Sequence, residues 1–295
     1  MPPLTPSSAL TSWQFVPLVS GPLAVLAACY LAAVTRVRGR RGRLTARPWP
    51  GGRTAAFLAG LAVVAVATQG SVAVYDDTLL SAHMVQHLLL IMVAPPLLVF
   101  GRPVTLLLHA ARNPWHTRVK RVLRSRVVTA LTWPPFVVAL YSAVVLGTHL
   151  TGLLTARGAL HDAEHGAYLV AGYLYFLPVI GSEPLRWRLP ALGRYLLIVV
   201  AMPADIITGA VLMLHGRIGG YSAGDVRAGG LIMVAGGELI MTAIAVALAV
   251  VIVRDLDGTA RRARRARPAL SGADPGADLP AYNAYLASLH RSRLP

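Results

Sequence analysis

Long apolar stretches separated by short polar segments dominate the chain. Seven of these stretches approach or exceed the ~20 residues that an α-helix needs to cross the hydrocarbon core of a bilayer. Because backbone groups in lipid must be paired within their own segment, stretches rich in Ala, Leu and Val are predicted to be helices. The predicted spans cover residues 15–35, 54–73, 80–100, 127–147, 164–181, 194–214 and 228–253. The pattern predicts an all-α, polytopic membrane bundle of about seven transmembrane helices.

The basic residues alternate from one side of the predicted spans to the other. Up to residue 267, twenty-three Arg and Lys residues fall on one side and three on the other. Loops rich in Arg and Lys stay in the cytoplasm. This predicts an extracytoplasmic N-terminus (1–14), a seven-helix domain (15–253) and a cytoplasmic, basic tail without regular structure (254–295). We expect a multi-pass protein of a bacterial plasma membrane.

Composition agrees with a membrane protein and narrows its partners. Of the 295 residues 55% are hydrophobic and 14% are charged, whereas about a quarter of the residues of a soluble domain are charged. The net charge of +16 is concentrated in loops beside apolar spans, so it predicts contact with anionic lipid headgroups and not with nucleic acid. Cys29 is the only cysteine, which excludes a site built on paired thiolates.

Six of the nine histidines lie at predicted extracytoplasmic ends of spans. His83 and His87 begin the third span, and His161 and His165 begin the fifth. Residues four apart share one face of a helix, so the two pairs are predicted to point toward a common site. Imidazole binds copper, zinc and iron. The spacing predicts a metal site with these four ligands, and it leaves the metal open.

Three further residues are weaker candidates for the same site. His149 ends the fourth span and His215 follows the sixth, while Met84 could supply a thioether to Cu(I). Two carboxylates, Asp205 and Glu238, lie within the sixth and seventh spans. Ionisable residues at that depth are either functional or held by a structural hydrogen bond, and the sequence leaves both interpretations open.

The third span carries a recognisable motif, which runs from His83-Met-Val-Gln-His87 through Ala94-Pro95-Pro96 to Gly101-Arg102-Pro103-Val104. It resembles the CtaG-type cytochrome c oxidase assembly factors, which are multi-span bacterial membrane proteins. The segment His161-Asp-Ala-Glu-His165 is similar to the second histidine-bearing helix of that family. Looser similarity extends the resemblance over roughly residues 55–250.

The resemblance implies a function and a partner. It implies maturation of a copper-containing respiratory oxidase, in which the chain would hold or pass copper at the extracytoplasmic face. The chain would act as a chaperone without enzymatic activity, and its partner would be an oxidase subunit in the same membrane. A purely scaffolding role, with the histidines as interface residues, stays open.

The residues also permit three other functions. The segment from His161 to His165 fits H-x-x-E-H, a signature of zinc peptidases in which Glu164 would be the general base. Histidines on the third and fifth spans could hold a haem between them. Asp205 and Glu238 could line a pathway for copper or protons.

Overall fold

The computed structural model describes residues 11–39, 49–151, 158–271, 279–280 and 282–284. Within these residues the chain is helical and contains no strand, and an isolated β-bridge joins Ile218 to Tyr221. The all-α prediction is confirmed.

The helices follow one another with short connections. In chain order they are α1 (Pro17–Gly39), α2 (Gly51–Gln69), α3 (Ser71–Tyr75), α4 (Leu80–Leu88), α5 (Ala94–Phe100), α6 (Pro103–Ala110), α7 (Trp115–Leu123), α8 (Arg126–Leu131), α9 (Pro134–Leu150), α10 (Ala159–Ile180), α11 (Ala191–Leu214), α12 (Ala223–Leu231) and α13 (Gly237–Ser271). A π-helical segment, Leu89–Val93, joins α4 to α5, and a second one, Ile232–Gly236, joins α12 to α13.

Several helical stretches are long and apolar enough to cross a membrane. Among the described residues there are five: Pro17–Gly39, Gly51–Tyr75, Leu80–Ala110, Ala191–Leu214 and Ala223–Arg254. The shorter α9 is also apolar, and the predicted fifth span lies on α10, whose first turns carry charged and histidine side chains. The chain is thus a membrane helical bundle, while the count of seven spans and their orientation remain predictions.

Three helix starts differ from the predicted spans by five residues or more. Residues 127–133 belong mainly to α8, because Pro134 and Pro135 have no N–H to continue a helix and instead start α9. The fifth helix begins at Ala159 and not at residue 164, so His161 lies in its first turn. The seventh begins at Ala223. The last two differences arise because polar residues begin these helices, and apolar content alone does not reveal a polar first turn.

The chain divides into two compact units, Met1–Ala245 and Val246–Pro295. The second unit is helical as far as Ser271, which differs from the predicted absence of regular structure after residue 253. Its Ala and Arg residues have high helix propensity, and this explains the continuation. Residues 272–278, 281 and 285–295 of the predicted tail lie outside the described part of the chain.

The π-helical segment Leu89–Val93 brings α10 against the helix that carries the first histidine pair. Pro95 has no N–H for the carbonyl of Ile91, and such interruptions kink a helix or force a wider turn. Gly172 of α10 lies against that carbonyl and against the Pro95 ring, where a Cβ would overlap both. The close approach places the start of α10 beside α4.

Candidate metal centre

Four parts of the chain meet at the end of the bundle that is predicted to be extracytoplasmic. They are the starts of α4 and α10, the end of α9, and the loop between α3 and α4. His83 and His87 lie on α4, with ring centroids 4.1 Å apart. His161 and His165 lie on α10, 4.3 Å apart. The ring of His83 stacks on that of His161 at 5.2 Å, so each pair shares a helical face and the two faces are in contact.

The first of two groups of ligand atoms is buried between the helices. It consists of His83, His87 and Glu164, whose nitrogen and oxygen atoms all lie within 4.8 Å of one another. We call it the inner trio. Its side chains belong to residues that are 2%, 0% and 7% exposed. Oε1 of Glu164 lies 3.6 Å from Nε2 of His87.

The second group lies next to it and nearer the loops. It consists of Asp76, His161 and His165, again within 4.8 Å, and we call it the outer trio. Oδ2 of Asp76 lies 3.1 Å from Nε2 of His161. Asp76 is buried, whereas both histidines are half-buried. The outer trio borders a cavity of about 610 Å³ that is also lined by Asp77 and Asp162.

The polar atoms of these trios are largely unpaired. Nε2 of His83, His87 and His165 and both carboxylate oxygens of Glu164 are buried without a hydrogen-bond partner among the described residues. Leaving one buried polar group unpaired costs roughly 1–3 kcal/mol, and more for a charged group. Five such atoms at one place are expensive for folding, and binding of cations among them would offset that cost.

His149 determines which nitrogen of His87 is available. Nδ1 of His149 lies 2.8 Å from the carbonyl oxygen of Val145. That oxygen can only accept, so a neutral His149 carries its proton on Nδ1 and accepts at Nε2. Nδ1 of His87, 3.3 Å away, therefore donates to it. In consequence Nε2 of His87 bears a lone pair directed at Glu164.

Two acceptors thus face each other across 3.6 Å in the inner trio. They repel each other unless a proton or a metal cation lies between them. Nitrogen and oxygen ligands lie about 2.0–2.2 Å from a bound Zn²⁺ ion, so two ligands of one ion are typically about 3–4 Å apart. The spacing and the chemistry of the inner trio fit a metal ion.

Neighbouring side chains hold the histidine-bearing helices α4 and α10 in position. The Tyr168 ring stacks on the His87 ring at 4.0 Å, and its hydroxyl pairs with that of Thr148 at 2.7 Å. Asp225 of α12 accepts hydrogen bonds from the first backbone amides of α4, at Leu80 (2.5 Å) and Ser81 (3.2 Å). Asp225 therefore caps the helix that carries His83 and His87 and fixes where this helix begins.

The remaining candidates lie apart from the centre. His215 is exposed at the end of α11, with Nδ1 2.7 Å from the carbonyl of Val211. Met84 is fully buried beside Gly229 of α12. Asp205 is 1% exposed and accepts a hydrogen bond from the Tyr141 hydroxyl at 3.1 Å. Glu238 is half-buried, and its Oε1 has no partner within the described structure.

The sequence does not single out two of the carboxylates as candidate ligands. Asp76 is a charged residue of an interhelical loop, and nothing in the sequence links it to His161, 85 positions further along the chain. Glu164 stood out only in H-x-x-E-H, as a possible base. Its neighbour across the helix interface is His87, and a short motif within α10 contains no signal for that contact.

The chain is similar to proteins of mycobacteria. The chain is 35% identical over 224 residues to an uncharacterized protein of Mycobacterium bovis, covering 72% of this chain and 33% of that protein. It is 31% identical over 308 residues to an uncharacterized protein of Mycobacterium leprae, covering 96% of this chain and 45% of that protein. The chain thus spans less than half the length of these relatives.

No solved structure matches the chain significantly. The sequence model of the cytochrome c oxidase caa3 assembly factors matches residues 28–255, which include both trios and every predicted span after the first. This agrees with the resemblance carried by the third-span motif. The chain therefore belongs to the cytochrome c oxidase caa3 assembly factor family.

Proposed function

We propose that this chain promotes maturation of a respiratory cytochrome c oxidase by holding copper at the extracytoplasmic end of its helical bundle. The observation that carries the proposal is the set of five buried, unpaired ligand atoms contributed by His83, His87, Glu164 and His165. Membership of the family supports a role in oxidase assembly, and the unpaired imidazole and carboxylate atoms support metal binding. Copper is the cargo and not a catalyst, so no enzymatic step is assigned to the chain.

The donor set favours a divalent ion. Nitrogen and oxygen sites bind Cu²⁺ more tightly than the other divalent first-row metals, whereas thiolates and thioethers select Cu(I). Cys29 is exposed on α1, and Met84 packs against Gly229 of α12. With imidazoles and carboxylates as its ligands, the centre suits Cu²⁺, and Zn²⁺ is its nearest competitor.

The surroundings provide a way in from the predicted extracytoplasmic side. Asp76, Asp77 and Asp162 line the cavity at the outer trio, and carboxylates in a cleft concentrate cations there. The predicted partner is an oxidase subunit in the same membrane. Contact of the cytoplasmic arginine clusters with anionic lipid headgroups is part of the same proposal.

The contacts weigh against two of the alternatives. A haem between α4 and α10 would need space for its macrocycle between the histidines of these helices, but the rings of His83 and His161 stack directly on each other. In an H-x-x-E-H peptidase Glu164 would activate water at the zinc held by His161 and His165. Here the two oxygens of Glu164 divide between the trios, because Oε1 lies 3.6 Å from Nε2 of His87 and Oε2 lies 3.8 Å from Nδ1 of His161. This carboxylate is therefore not reserved for a zinc ion held by His161 and His165.

Oxidase maturation in cells tests the proposal. The gene is removed from a bacterium that makes a caa3-type oxidase and replaced by wild type, by a His83→Ala/His87→Ala variant, or by His215→Ala as the control. We expect the double variant to lower the ratio of copper to haem in the purified oxidase as far as the deletion does, while His215→Ala preserves it. Full copper in the oxidase of the double variant would contradict the proposal and leave a scaffolding role.

A further inference from the structure

The histidine and carboxylate side chains form two complete groups and not one. Each trio contributes two imidazoles and one carboxylate, and each closes within 4.8 Å without borrowing a residue from the other. Two imidazoles and a carboxylate are a common protein ligand set for a single divalent ion. We propose that the protein holds two divalent ions at once, a retained ion in the inner trio and an exchangeable ion in the outer trio.

The two groups differ in their access to solvent. The cavity of about 610 Å³ is lined by Asp76, His161 and His165 of the outer trio, whereas the inner trio does not contribute to its described lining. His83 and His87 are 2% and 0% exposed. An ion in the outer trio is therefore open to partners and chelators, and an ion in the inner trio leaves only after the helices separate.

Glu164 connects the two groups. Its Oε1 faces Nε2 of His87 in the inner trio at 3.6 Å, and its Oε2 lies 3.8 Å from Nδ1 of His161 in the outer trio. Metal-bound histidines usually donate their second ring N–H to a carboxylate, which fixes the ring and strengthens the ligand. Glu164 is placed to bind the inner ion with one oxygen and to orient the outer ligand His161 with the other.

The arrangement also explains why the outer trio alone has an internal hydrogen bond. Nε2 of His161 pairs with Asp76 at 3.1 Å, which holds two outer ligands together before an ion arrives. Nε2 of His165 is buried and unpaired among the described side chains. The inner trio has no such internal bond in the described structure, so its atoms depend entirely on a cation. This inference rests on the proposed metal-holding function and adds the number of ions and their unequal exchange.

Metal stoichiometry of the full-length protein in mild detergent tests this inference. The protein is loaded with Cu²⁺ or Zn²⁺ and desalted, and bound metal is measured by mass spectrometry before and after a short exposure to EDTA. We expect about two ions per chain before EDTA and about one afterwards. A wild-type protein that retains one ion at most before EDTA would overturn the two-ion inference.

Variants assign the ions to the trios. Asp76→Asn removes the exchangeable ion and leaves the retained one. Its matched control is Asp162→Asn, which changes an aspartate that lines the same cavity outside the trios and keeps both ions. His83→Ala removes the retained ion. If Asp76→Asn and His83→Ala each abolish all binding, the centre takes a single ion; absence of metal in the wild type would also sink the proposed function.

Electron paramagnetic resonance of the copper-loaded wild type gives a test that needs no variant. Two Cu²⁺ ions in adjacent trios interact magnetically, so we expect a broadened spectrum with a half-field transition, which sharpens to that of an isolated ion after EDTA. Two bound ions with the spectra of isolated centres would place the second ion elsewhere and overturn the inference.

Discussion

Glu164 and Glu183 are buried to almost the same extent, 7% and 6% exposed, near the two ends of α10, but their surroundings are opposite. Glu183 accepts hydrogen bonds from the backbone amides of Val104 (3.0 Å) and Thr105 (2.9 Å) and from the Thr105 hydroxyl (2.6 Å). It caps the start of α6. Glu164 has no hydrogen bond to either oxygen within the described residues.

The difference separates a carboxylate that the fold itself pairs from one that we propose to be a metal ligand. Burial raises the pKa of Glu183, and the donors from Thr105 oppose that rise, so the protein itself compensates this group. Oε1 of Glu164 faces the lone pair of His87 at 3.6 Å, and its Oε2 lies 3.8 Å from Nδ1 of His161, beyond hydrogen-bond reach. A buried acceptor beside another acceptor is tolerated when a cation completes the site.

The same substitution at both positions gives the sharpest contrast. Glu164→Gln should weaken binding of the retained copper by at least about 100-fold, since it removes a ligand and not merely an outer contact. The metal-free variant should be as stable as wild type or more so, because an amide can donate to Nε2 of His87. Competition with a chelator and thermal unfolding in detergent measure the two effects. A large loss of stability with intact copper binding would mean that Glu164 serves the fold, as Glu183 does, and not a metal ion.

Glu183→Gln should do the opposite. An amide group leaves one donor near Thr105 unpaired, and we expect the free energy of unfolding to fall by about 1–3 kcal/mol. Copper affinity should stay within about twofold of wild type, because α6 contributes no ligand. The same two assays apply. Loss of copper from a folded Glu183→Gln protein would show that the two ends of α10 are not independent.

Substitution of His149 should lower metal affinity by an intermediate amount, without a comparable effect on stability. His149→Ala removes the acceptor that fixes the proton of His87 on Nδ1, and loss of such an outer partner typically costs about 10–100-fold in metal affinity. His149→Gln retains an acceptor and should recover part of that loss. Equal affinities for wild type and both variants, measured by chelator competition, would remove His149 from the centre.

Asp225→Ala should have the smallest effect. It removes the cap of α4 at Leu80 and Ser81, and loss of a helix cap costs about 1 kcal/mol. We expect a small fall in the thermal midpoint and a modest fall in copper affinity, because the start of α4 positions His83. A fall in copper affinity of more than about 100-fold in the folded variant would contradict this and point to a direct role of Asp225 in binding.

The sequence predicted which histidines lie together, but it could not predict which carboxylates join them. The i, i+4 spacing placed His83 with His87 and His161 with His165, as helical geometry requires. It could not assign Asp76 or Glu164, because their partners come from helices and loops whose relative depth depends on packing. The contact of Gly172 with Ile91 sets that depth, and it follows from a π-helical turn that apolar periodicity does not encode.

His149 shows a similar limit. Its position at the end of a span made it a candidate ligand, but its role depends on the carbonyl of Val145 and on Nδ1 of His87. By contrast, the apolar stretches predicted the membrane helical bundle correctly, because the length and hydropathy of a helix determine whether it can cross a membrane. The prolines that divide α8 from α9 were the clearest local signal that span counting passed over.

Copper content of the purified protein tests the central claim most directly. Wild type and His83→Ala/His87→Ala are purified in mild detergent, exposed to Cu²⁺, desalted and measured by mass spectrometry, with His215→Ala as the control for an exposed histidine. We predict that wild type and His215→Ala retain copper after EDTA and that the double variant, still folded by size exclusion, retains none. Retention of the same copper by the double variant would contradict the assignment of the inner trio as a metal centre.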